Sequence, residues 1–103
     1  MEKLLIIILV SFTVTGFSQN ATPCSADSNY RQLDFWIGDW EVFGVAGIKA
    51  GESKIERILD SCVILESYTN TNNTYSGKSF NTYNRQEKQW QQTWVDDKGG
   101  STN

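Results

Sequence analysis

Glu66 is the side chain of this sequence best placed to do chemistry. It sits in Cys62-Val63-Ile64-Leu65-Glu66-Ser67-Tyr68-Thr69, a β-branched run that reads as a strand. Strand side chains alternate between faces, so Glu66 shares a face with Ile64 and Tyr68. On an interior face such a carboxylate orients the polar end of a ligand or acts as a general acid. The plainer alternative is a solvated carboxylate, or one paired with Arg57 or Arg85. Trp90, Gln92 and Trp94 form a second same-face row. Two indoles and an amide line a pocket for a ring or a sugar, or they fill the core of a small domain. Ser79, Asn81 and Tyr83 make a third row, and a one-residue bulge at Gly77 would flip its direction.

Other reactions lack their residues. The chain contains no histidine, so a Ser-His or Cys-His nucleophile pair has no base. Gly-x-Ser-x-Gly, phosphate-loop and dinucleotide patterns do not occur. No second acid is placed to face Glu66 as a glycosidase pair requires. Asp34 and Asp39, around the Gly38 bend, read as solvated turn residues, as do Asp96 and Asp97 before Gly99-Gly100. The expectation is therefore no catalytic residue, no metal and no cofactor, with the chain more a binder than an enzyme.

The chain has 103 residues and a net charge of −3. Residues 1–18 read as a signal peptide: Lys3, an apolar run from Leu4, and small residues at Gly16 and Ser18. Ser11, Thr13 and Thr15 interrupt that run, which argues against stable membrane insertion. The sequence before Cys24 is not that of a lipoprotein anchor. Export to the periplasm or beyond is the expectation. Mild acidity without a basic block gives no support to nucleic-acid binding. Asn20-Ala21-Thr22 and Asn72-Asn73-Thr74 match the glycosylation sequon. The 85 residues left after cleavage permit one small domain, a size that often needs a staple. Cys24 and Cys62 are the only cysteines, and in an exported chain they read as a disulfide.

The positioning elements are strands. After an extension over 19–27, Asp27 or Ser28 caps a short helical segment from Asn29 to about Phe35, with Leu33, Phe35 and Trp36 turned inward. Gly38 breaks it. Strands are expected at Trp40–Val45, Ser53–Leu59, Cys62–Thr69, Tyr75–Tyr83 and Gln89–Val95, with Gly47–Gly51 turn-rich and Thr69–Thr74 a hairpin loop. Residues 52–59 also fit one side of a helix, but their strand neighbours favour a strand. Gly77 marks a bulge or a close approach. The result is a five-strand meander.

Residues 30–99 resemble an uncharacterised family of secreted bacterial lipocalin-like (calycin) proteins. The resemblance rests on Phe35-Trp36-Ile37-Gly38-Asp39-Trp40-Glu41-Val42, Gly51 with Ile55, Cys62-Val63-Ile64-Leu65-Glu66, Gly77-Lys78-Ser79-Phe80, Tyr83 and Trp90-Gln91-Gln92-Thr93-Trp94-Val95-Asp96. It implies an all-β antiparallel barrel of eight to ten strands, of which 28–103 would form an incomplete part lacking the last few strands. It also implies structural roles for Trp36, Gly38 and Trp40, with a Gly-x-Trp indole plugging one end. Related nitrobindin-like barrels hold haem through a late-strand histidine, which has no counterpart here.

The expected activity is binding of a small, partly apolar ligand in a barrel interior by Glu66, Tyr68, Tyr83, Trp90, Gln92 and Trp94. Two alternatives compete with it. One is a carbohydrate or surface-interaction module with exposed, coplanar Trp90 and Trp94. The other is a small catalytic barrel using Glu66.

Overall fold

The computed structural model describes residues 22–103. The signal-peptide reading and the Asn20 sequon lie outside the described residues. The fold is an antiparallel meander of six strands in one sheet, ordered β1 to β6: Gly38–Phe43, Lys49–Ile58, Val63–Asn70, Ser76–Asn84, Gln89–Asp96 and Ser101–Thr102. Each strand pairs with the next, and β1 and β6 are the two open edges.

Several boundaries differ from expectation for local reasons. The first strand begins at Gly38 (φ +141°) and ends at Phe43, so Val45 falls in the following turn, fully exposed. Residues 52–58 are strand, not helix, but β2 starts at Lys49, absorbs Gly51 and stops one residue short of Leu59. Leu59 leaves it with φ +53°, and Asp60 and Ser61 continue the left-handed turn. Gly77 makes no bulge; β3–β4 runs in continuous register past it, and β4–β5 runs in continuous register up to it. A sixth strand, missed in the five-strand count, pairs Trp94 with Thr102 and Val95 with Ser101. It returns across a turn in which Gly99 adopts φ +86°.

The N-terminal segment forms three short 3-10 turns rather than one helix: Cys24–Ala26, Ser28–Arg31 and Asp34–Trp36. Asp27 caps the second, its carboxylate accepting the Asn29 N–H at 2.9 Å. Phe35 does not turn inward; it is 74% exposed, while Leu33 and Trp36 are half-buried. The Cys24–Cys62 disulfide, with Cα atoms 5.1 Å apart, ties this segment to the start of β3.

One face of the sheet is the core. Ser53, Ile55, Ile64, Ser79 and Asn81 are all 5% exposed or less, and register places all five on the same face. A flat single layer would leave side chains this small open to water. Their burial marks this as the packed, inner face of the sheet. The opposite face carries Glu52, Lys54, Glu56 and Lys78.

Candidate functional site

Every residue expected to bind ligand falls on the inner face. Across the strands, Ile55 pairs with Glu66, Glu66 with Ser79, Ser79 with Trp94, Asn81 with Gln92, and Tyr83 with Trp90. The face divides into two aromatic ends and a polar middle.

At one end the N-terminal segment crosses the sheet. Tyr30, 7% exposed, packs edge-on to Tyr83 (5.4 Å between centroids) and Trp90 (6.4 Å). Tyr83 and Trp90 lie 5.6 Å apart, and the Trp90 indole N–H donates to Gln32 at 3.1 Å. Arg85 sits 5.0 Å over the Tyr30 ring and pairs with Asp27 at 3.3 Å. Asp34 is no free turn residue. It pairs with Arg31 at 2.8 Å and with Arg57, and Arg57 also donates to the Tyr30 carbonyl. Tyr83 and Trp90 therefore share their surfaces with the N-terminal segment, which closes this end.

At the other end, two glycines make room for two rings. A Cβ on Gly51 would meet the Tyr68 hydroxyl at 2.6 Å, and one on Gly77 would meet the Trp94 indole at up to 2.6 Å. Gly77 is thus the close-approach point, and Gly51 is a second one that was read as a turn residue. Tyr75 bridges the rings, 6.4 Å from Tyr68 edge-on and 6.4 Å from Trp94 stacked. Its hydroxyl donates to Asp96 at 2.8 Å and accepts the Trp94 N–H at 3.3 Å.

Asp96 anchors the β5–β6 turn, accepting the Gly100 and Lys98 N–H groups at 2.8 and 2.9 Å. The Gly100 bond, followed by those from Tyr75 and Lys98, holds its pKa below the ordinary value. The stability this adds is present above about pH 3.9, the unfolded value, and is lost as pH falls through the lower folded value. A carboxyl-carbon NMR titration is expected to place the Asp96 midpoint below that of a free Asp. A midpoint at or above the free value would refute the anchoring role.

The polar middle is a directed chain of hydrogen bonds. Gln92 donates to the Asn81 carbonyl oxygen at 2.9 Å. Asn81 donates to the Ile64 backbone carbonyl at 3.1 Å and to Ser79 Oγ at 2.9 Å. Ser79 donates to Glu66 Oε1 at 2.8 Å, and Ser53 donates to Glu66 Oε2 at 3.3 Å. Because a backbone carbonyl only accepts, the Asn81 atom beside Ile64 must be its amide nitrogen, which fixes the direction of the chain. Glu66 pairs with neither Arg57 nor Arg85; its partners are two serine hydroxyls. Ser53, Ser79 and Asn81 were missed as its partners, though their alternation with Ile55, Gly77 and Tyr83 carried the signal.

Trp40 stands on β1 opposite Ser53, 45% exposed, and its indole N–H donates to the Trp36 carbonyl at 2.7 Å. That bond ties down the Gly38 bend. An open cleft of about 520 Å³ lies on the opposite face of the sheet, lined mainly by Asp39, Glu41, Glu52, Lys54, Ser67 and Thr69. Among the described residues, no three His, Cys, Asp or Glu side chains gather as metal ligands, and no helix is long and apolar enough to cross a membrane.

Comparison with protein-family models, with curated proteins and with solved structures gives no match.

Proposed function

We propose that this is an exported, lipocalin-like protein that binds a small, partly apolar molecule on the inner face of its sheet. One observation carries the reading. A single face gathers Tyr68, Trp94, Tyr83 and Trp90 around a polar row that ends in a half-buried carboxylate. Ligand sites combine apolar walls with a few oriented polar groups in this way. A Cys24–Cys62 disulfide fits an oxidising compartment, which supports export. Trp90 and Trp94 are each half-buried against tyrosines, an arrangement that favours a lined face over an exposed stacking platform.

The test uses N-phenyl-1-naphthylamine, a neutral aromatic probe whose emission rises in apolar surroundings. Saturable enhancement is expected, reduced at least about tenfold in affinity by Trp94→Ala, whose loss removes one wall of the site. Native mass spectrometry of protein from its own host is expected to show a bound small molecule. Unsaturable probe emission together with a bare protein mass would overturn the proposal.

A further inference from the structure

We infer that the ligand of the inner face presents a cationic nitrogen to Glu66. This rests on the binding reading above and specifies the chemistry of its polar end.

The direction of the hydrogen-bond chain carries the argument. Gln92, Asn81, Ser79 and Ser53 spend these donors within the row, and both hydroxyls end on the Glu66 carboxylate. A carboxylate offers about four acceptor positions, and the serines occupy two. What the row still offers a ligand at Glu66 is acceptor capacity, so the ligand must bring N–H or O–H donors.

Charge narrows the class. Among the described residues Glu66 has no ion-pair partner, although Arg57 lies on its face and Arg85 just beyond the strand that carries Ser79. Both are engaged elsewhere: Arg57 by Asp34 and the Tyr30 carbonyl, and Arg85 by Asp27. The half-buried negative charge is thus compensated by hydroxyl dipoles alone. A cation completes such a site, whereas an anionic head is repelled.

The surroundings indicate an organic cation rather than a metal ion. Calcium takes six or more oxygen ligands, and this row supplies one carboxylate with two hydroxyls already committed. Aromatic residues share its face, one on its own strand and two on the strands beyond its neighbours. Tyr68 is the next inner-face residue along β3, Trp94 lies opposite Ser79, and Trp40 lies opposite Ser53. An unpaired carboxylate on a face rich in rings suits an ammonium group carried on an apolar or aromatic body. The class is therefore a primary or secondary amine, protonated at neutral pH, on an aromatic or apolar body.

Three probes with one body and different heads test this: phenethylamine, 2-phenylethanol and 3-phenylpropionate. Affinity is read from the NMR shifts of the Trp94 and Trp40 indole N–H groups. The amine is expected to bind at least about tenfold tighter than either companion. Glu66→Gln, which removes the charge and keeps one acceptor oxygen, is expected to bring the amine to within about twofold of the alcohol. The wild-type ranking decides the matter even if that variant does not fold. Equal affinity for the three heads, or a preference for the amine that survives Glu66→Gln, would overturn the cation and leave the binding face standing. Silence from all three while the naphthylamine probe still binds would do the same. Failure of the naphthylamine probe as well would remove both.

Discussion

Reduction of the Cys24–Cys62 bond is expected to lower the melting temperature by more than about 12 °C. The bond closes a loop between residues 38 apart, and loop-closure entropy for that length stabilises the fold by about 3–4 kcal/mol. In a domain of this size each kcal/mol moves the midpoint by roughly 4–8 °C. Two further effects act in the same direction. The bond pins the segment that brings Tyr30 onto Tyr83 and Trp90 and Asp34 onto Arg57. It also borders the Leu59-Asp60-Ser61 turn, where three consecutive non-glycine residues hold φ of +53°, +55° and +71°. Left-handed backbone costs roughly 1–2 kcal/mol per such residue, so this turn needs its anchors. Circular dichroism melts of the oxidised protein, the reduced protein and the Cys24→Ser/Cys62→Ser variant decide it. A shift under about 3 °C would mean that packing alone holds the N-terminal segment.

Gly77→Ala is expected to destabilise the fold by about 2 kcal/mol, within the usual range for overpacking. The sign matters more than the size. Replacing a strand glycine with alanine ordinarily stabilises by roughly 0.5–1 kcal/mol, because the unfolded chain loses freedom. Here the new methyl meets the Trp94 ring and, at 2.8 Å, the Val95 carbonyl oxygen. Backbone cannot swing aside as the end of a flexible side chain can. Trp94 would be pushed off Tyr75, so its emission is expected to move to the red. Gly51→Ala meets the Thr69 carbonyl and the Tyr68 ring and belongs to the same class. Urea melts with tryptophan fluorescence read both quantities. A neutral or stabilising Gly77→Ala would show that the ring does not lie over the glycine.

Much of this fold was legible because period-two alternation survives even where residues are polar. Ser53 with Ile55 and Arg57, Ile64 with Glu66 and Tyr68, and Trp90 with Gln92 and Trp94 each share a face as that alternation requires. The pairing of the only two cysteines was legible by count. What stayed hidden depends on register between strands, which turns set and composition does not. Nothing in Ser53 or Ser79 taken singly announces a partner for Glu66; only the β2–β3 and β3–β4 pairings bring them there. Gly51 read as a turn residue because its role as a seat for Tyr68 appears only with β3 alongside. β6 escaped because two residues are too few to show any period. Phe35 broke its pattern because three successive 3-10 turns replace the 3.6-residue period on which its inward placement relied.

The order β1 to β6, each strand beside its sequence neighbour, sets how this chain can assemble. Every ladder closes through a local turn, so the sheet can zip hairpin by hairpin without a long search. The N-terminal segment is the exception. Tyr30 finds Tyr83 across 53 residues and Thr22 finds Arg85 across 63. Those contacts cost far more loop entropy than any hairpin and gain their stabilisation only once β4 and β5 exist to receive them. Assembly therefore has a direction: the wall forms first, and the end that closes it docks last, guided to its place by the cysteine it carries.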